Sequence, residues 1–157
     1  MILYHGTNME FSQIDLSKSK PNKDFGKGFY LSKEYGQAME MAKTKVEQLE
    51  TGTPVVMSFE VDEEQMALLK VLRFEDYSEE WAKFILLNRN NKTLEPVHDY
   101  DIVIGPIAND RVGVQLWKYE SHSIDLPTLV RNLSYMKGIT FQYFFGSNRA
   151  INILKRL

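Results

Sequence analysis

Two short segments concentrate the chemistry that this chain can perform. The first is Tyr4-His5-Gly6-Thr7, and the second runs Asp24-Phe25-Gly26-Lys27-Gly28-Phe29-Tyr30-Leu31-Ser32. A histidine titrates near neutrality, so it can exchange a proton or hold a hydroxyl group by hydrogen bonding. Gly26 and Gly28 open backbone conformations closed to other residues and let another group approach the main chain closely. Alone, a Gly-x-Gly more often marks a tight turn between packed elements than a ligand cradle. What accompanies it decides its meaning.

Several chemistries are disfavoured at once. Asp24-Phe25-Gly26 spells the metal-binding tripeptide of protein kinases, but neither the lysine-bearing strand nor the His-Arg-Asp loop of a kinase stands ahead of it. No Gly-x4-Gly-Lys-Ser/Thr loop and no Gly-x-Ser-x-Gly elbow occurs. His5, His98 and His122 are far apart, with no pair at i, i+4 spacing, and Asp99 and Asp101 around Tyr100 read as a cap or turn. No metal site is expected. The absence of cysteine excludes disulfides, thiol nucleophiles and thiolate ligands, and it suits a reducing cytoplasm.

The 157 residues fit a single domain spanning 1–157, and 43% apolar with 25% charged residues is ordinary for a globular chain. With a net charge of -2 there is no global basic field to hold a phosphate backbone, so bulk nucleic-acid binding is disfavoured. Lys18, Lys20, Lys23 and Lys27 crowd one segment, which reads first as a solvated loop. No signal peptide is visible, and no apolar run approaches the roughly 20 residues needed to cross a bilayer. A soluble, cytoplasmic protein is expected.

Elements that would position the two segments can be read from periodicity. Ile2-Leu3-Tyr4 reads as a strand ending in a turn at His5-Gly6-Thr7. Lys33 to Glu50 reads as a helix, with apolar spacing at Tyr35, Ala38, Ala42, Val46 and Leu49 and Ser32 as its N-cap. Val55 to Val61 is a strand. Asp62 to Lys70 follows as a short helix, with Asp62 and Gln65 in a capping box. Ser78 to Asn88 is a helix docking through Trp81, Phe84, Ile85 and Asn88. Asp101 to Gly105 is a strand, Asp110 to Glu120 leans to helix, and Asp125 to Tyr135 is a helix with Pro127 in its first turn. Ile139 to Phe145 is the last strand and Ser147 to Leu157 a terminal amphipathic helix. The mixture predicts an α+β fold.

The strand-end His-Gly-Thr and the later Gly-Lys-Gly-Phe-Tyr, followed by a small polar residue and a helix, together resemble the ADP-ribosyltransferase superfamily. The branch is the one named for a His-Tyr-Glu triad, which includes poly-ADP-ribose polymerases and diphtheria toxin. The whole chain looks most like a bacterial branch of it. That likeness rests on His5 to Thr7, Asp24 to Leu31, Trp81 to Arg89, Tyr100 to Pro106 and Phe141-Gln142-Tyr143.

The resemblance implies a split, mostly antiparallel β-sheet core and NAD as substrate. Nicotinamide would be displaced from the ribose C1 carbon through an oxocarbenium-like transition state. His5, Tyr30 and Gln142 would be the catalytic positions, with no metal. His5 would bond a ribose hydroxyl and Gly6 the carboxamide, Tyr30 would lie against the nicotinamide, and Ser32 would bond its amide. Thr7, Gly28 and Phe29 complete the binding segments, and Met41 takes the place of a second aromatic opposite Tyr30. A glutamine at 142 can hydrogen-bond but cannot act as a base or contribute negative charge. This implies transfer of a single ADP-ribose, rather than polymer formation, to a protein or nucleic-acid acceptor. Glu120, the nearest carboxylate in sequence, substitutes only if folding brings it close. A toxin-like effector with a neutralising antitoxin-like partner, and a catalytically silent NAD-binding or protein-interaction module, are the other readings.

Overall fold

The computed structural model describes residues Met1–Leu157. It is an α+β arrangement built on one seven-stranded sheet. The strands are β1 (Ile2–Thr7), β2 (Phe29–Ser32), β3 (Val55–Val61), β4 (Val71–Arg73), β5 (Ile102–Pro106), β6 (Phe141–Phe145) and β7 (Leu154–Arg156), in the spatial order β4-β5-β6-β2-β1-β3-β7. All neighbours are antiparallel except β4 and β5.

The sheet is thinnest in the middle. β1 and β3 pair along their length, from Ile2 opposite Glu60 to Thr7 opposite Val55, and β2 pairs with β6 from Phe29–Phe145 to Ser32–Gln142. Between β1 and β2 only Tyr4 and Ser32 are paired. Beyond that point the strands part, giving one half made of β4, β5, β6 and β2 and another made of β1, β3 and β7.

Six helices surround the sheet: α1 (Tyr35–Leu49), α2 (Glu63–Ala67), α3 (Glu79–Arg89), α4 (Asp110–Glu120), α5 (Leu126–Ser134) and α6 (Asn148–Asn152). The local signals that start them are side-chain caps. Ser78 accepts from the Trp81 amide, Asn109 from Val112 and Asp125 from Thr128, each satisfying an otherwise orphaned N–H. Two apolar clusters result. One gathers Phe25, Trp81, Ile85, Val103, Leu116, Leu129 and Phe144 under α3, α4 and α5. The other packs Leu3, Leu31, Met57, Phe59, Ile104 and Phe145 on the remaining face.

Four local readings are corrected. β1 does not turn at His5; it runs on to Thr7, because β3 supplies pairing partners to its end. Ser32 belongs to β2, so α1 begins at Tyr35 after Glu34, and the Ser32 hydroxyl accepts the Glu34 amide in the intervening turn. α2 stops at Ala67, since the chain must extend to form β4 alongside β5. Asp62 accepts from Glu64, and the Gln65 side chain does not close a capping box. The terminal segment is helical only to Asn152; Leu154–Arg156 then pairs with β3, where Phe59 to Val61 offers a free edge. Pairing of that kind satisfies more backbone groups than an exposed last helical turn does.

Asp101 ties three pieces of this frame. Its side chain is 3% exposed. It accepts from the Lys70 amide ahead of β4, from Ser147 Oγ at the cap of α6, and from Arg149 Nη2 at 2.9 Å. Burial works to raise its pKa, but the Ser147, Lys70 and Arg149 donors outweigh that and hold it below the ordinary 3.8. A depressed carboxylate contributes stability that is present above its unfolded pKa and lost as pH falls through the folded one. Asp101→Asn is therefore expected to lose about 2 kcal/mol at neutral pH and less as the pH is lowered through the acid range. Denaturant unfolding across pH checks both.

Candidate active site

His5 stands where the two sheet halves part. The register would place it opposite Leu31, but no such pair forms. Instead its ring reaches across, and Nδ1 lies 2.7 Å from the Tyr30 carbonyl oxygen. A carbonyl only accepts, so Nδ1 carries the proton and Nε2 keeps its lone pair. The ring stacks on Phe29 at 4.2 Å between centroids and meets the edge of Phe11 at 5.8 Å. Nε2 has no protein partner, and since no buried polar side-chain atom is left unpaired, it faces accessible space.

The electrostatics keep this imidazole neutral. Burial lowers its pKa from 6.5 to about 4; the Tyr30 carbonyl acts in the opposite sense, and the Lys45 and Lys23 charges reinforce the drop. Lys45 is itself lowered by burial. Lys23 is exposed along its length, yet desolvation around its ammonium and the charges of Lys45 and Lys20 lower it too. Neither Lys23 nor Lys45 has a carboxylate within ion-pair distance. Two cations without an ion-pair partner, Lys23 offset only in part by the more distant Asp24 charge, stand near a neutral histidine and favour an anion close by.

Tyr30 is fixed by its own hydroxyl. That group donates to the Gly26 carbonyl at 2.6 Å and accepts from the Phe25 amide at 3.0 Å, closing the loop in front of its strand. The ring packs beside Phe25 and against the edge of Phe144, while Lys23 Nζ sits over it 5.3 Å from the centroid. A cation is thus already drawn to this ring.

The two glycines serve packing as well as turning. Gly26 has φ +95°, closed to most side chains, and an added Cβ would meet Asn88 Oδ1 at 2.9 Å. A Cβ at Gly28 would lie 2.2 Å from the Phe144 ring, and its amide donates to Ser19 Oγ. Gly6 is pressed still closer: a Cβ there would lie 1.9 Å from the Ala38 carbonyl oxygen of α1. These absent side chains let Phe144 and α1 close on the site.

The remaining expected positions fall as follows. Thr7 is buried, its hydroxyl donating to the Met9 carbonyl, and Ser32 is buried at the junction pair. Met41 is 54% exposed on α1, outside both apolar clusters. Gln142 lies opposite Ser32 on β6, and its Nε2 is 3.4 Å from Asp24 Oδ2. Glu120 does not approach Gln142; it bonds Asn90 on the outer surface.

Four residues near the site were not singled out for it. Arg89 at the end of α3 donates from Nε to Asp24 Oδ1 at 2.7 Å, and His98 Nε2 donates to the Phe25 carbonyl at 2.7 Å. Lys23 and Lys45 are the others. Arg89 ends one of the segments that carry the family likeness, so its motif was a usable signal; Lys45 gives none. No group of three His, Asp or Glu side chains is arranged to hold a metal ion. Two hollows, of about 500 Å³ beside Arg89, Asn109 and Trp117 and about 630 Å³ beside Lys33, Met66 and Tyr143, are lined by neither His5 nor Tyr30.

Two consequences can be measured. The folded His5 resists protonation, so its contribution is complete above pH 6.5 and is lost as the pH falls from 6.5 towards about 4. An NMR titration should show its ring neutral until well below pH 5, and His5→Gln should flatten the loss of stability over that window. Gly6→Ala forces α1 away from β1 and is expected to cost about 3 kcal/mol in chemical denaturation.

Among curated proteins, no match is found. A family model described as a protein of unknown function, DUF3990, matches residues 1–156. A match over so nearly the whole chain makes it a member of the DUF3990 family.

Proposed function

We propose that this chain is a mono-ADP-ribosyltransferase that uses NAD and passes ADP-ribose to a protein or nucleic-acid acceptor, or to water. The observation that carries the reading is His5 at the parting of the sheet, with one tautomer set by the Tyr30 carbonyl and Nε2 left as a free acceptor. Such an atom suits a ribose hydroxyl. Tyr30, with a ring face that already attracts the Lys23 ammonium, suits the cationic nicotinamide in its place. The unpaired Lys23 and Lys45 suit the diphosphate.

In the reaction, the bond between ribose C1 and the nicotinamide nitrogen breaks, and its electron pair goes to the ring nitrogen. Nicotinamide departs neutral. The acceptor's oxygen or nitrogen forms the new bond to C1 and gives up its proton to the site or to solvent.

Incubation with NAD should release nicotinamide, with ADP-ribose appearing free or on an acceptor. Replacement of His5 or Tyr30 by Ala should lower kcat/KM roughly 100-fold or more, with melting temperatures measured alongside to separate loss of the site from loss of the fold. No release by the wild type and no NAD binding in calorimetry would falsify the reading. A second reading, a silent NAD-binding module, draws on the Tyr30 hydroxyl and the Gln142 amide, both of which are engaged within the chain. Calorimetric binding without turnover would select it.

A further inference from the structure

We propose that Asp24 is the residue that brings negative charge to the ribose end of this site, a role that Gln142 cannot fill; the inference rests on the NAD reading above. Asp24 Oδ1 is held by Arg89 Nε through a single contact at 2.7 Å, and the carboxylate is 18% exposed. Oδ2 has only the long 3.4 Å bond from Gln142 Nε2, so a lone pair remains for an incoming donor. Gln142 must present its nitrogen to Asp24, because its oxygen there would set one acceptor against another. The Gln142 oxygen then points away, has no protein partner, and lies at an accessible surface.

Two acceptors therefore stand side by side, one charged and one neutral. The Tyr30 hydroxyl is kept protonated first by burial and further by the Asp24 charge. No other carboxylate hydrogen-bonds or ion-pairs with His5, Tyr30 or Gln142.

The chemistry asks for such a group. As the bond from C1 to nicotinamide breaks, positive charge passes from the pyridinium to the ribose, and a fixed anion aimed at a ribose hydroxyl stabilises that state more than the bound substrate. In hydrolysis, water oxygen bonds to C1, its proton passes to Asp24 Oδ2 and then to solvent, and the electrons of the broken bond leave with nicotinamide. The balance is NAD and water to ADP-ribose, neutral nicotinamide and one proton.

The test is steady-state NAD hydrolysis by the full chain, with melting temperatures alongside. Asp24→Asn is expected to lower kcat roughly 100-fold while KM changes less than about threefold. Adding Gln142→Glu to that variant moves a carboxylate to the neighbouring position and is expected to restore at least about tenfold of the loss. Wild-type kcat in Asp24→Asn overturns the assignment and leaves the NAD reading standing. A loss that Gln142→Glu does not restore, with both variants equally lowered in melting temperature, assigns Asp24 to holding its turn and also overturns it. Should Asp24→Asn not fold, Asp24→Ser is measured in its place and is expected to show the same roughly 100-fold loss in kcat; unchanged kcat overturns the proposal. Absence of both nicotinamide release and NAD binding in the wild type removes this assignment together with the reading it rests on.

Discussion

The hydrogen bond from His5 Nδ1 to the Tyr30 carbonyl is the interaction on which the centre of the molecule depends. β1 and β2 share a single backbone pair, so the strands beyond it would otherwise turn unpaired polar groups towards each other. A side chain takes over what a ladder would have done. It satisfies one carbonyl where the ladder has ended, and sets the tautomer that leaves Nε2 outward. The same bond thus accounts for the shape of the opening and for its chemistry.

Phe144 is the second constraint. Its ring is buried between two glycines, with an added Cβ falling 2.2 Å away at Gly28 and 2.3 Å away at Gly146. It touches Tyr30, Phe25 and His98 from one side. The opening motif is consequently a wall of the core as much as a loop: Phe25 is fully buried, and its amide and carbonyl are held by Tyr30 and His98. That is why Asp24 and Tyr30 are presented on a rigid support and not on a free loop.

Much of this was legible in the sequence where the causes are local. α3 announces itself through Ser78, the acidic first turn and the face of Trp81, Phe84, Ile85 and Asn88, of which the structure buries Trp81, Ile85 and Asn88 and half-buries Phe84. β7 was illegible, because three residues become a strand only when the edge of β3 lies beside them. Ser32 read as a cap since its type suits one, but its backbone was needed to join the two sheet halves. At the site, His5 and Tyr30 stood out by type and neighbours. The partnership of Asp24 with Arg89 did not, for nothing in either residue specifies contact across the intervening chain.

The thin junction has a mechanical meaning. Interstrand bonds are plentiful on either side of β1 and β2, so the line of least resistance through the sheet runs along that seam. A molecule seated there, touching His5 on one half and Tyr30 on the other, would act as a staple across a crack. Occupancy and cohesion of the whole chain would then rise together, in the manner of any ligand bound only by the folded form.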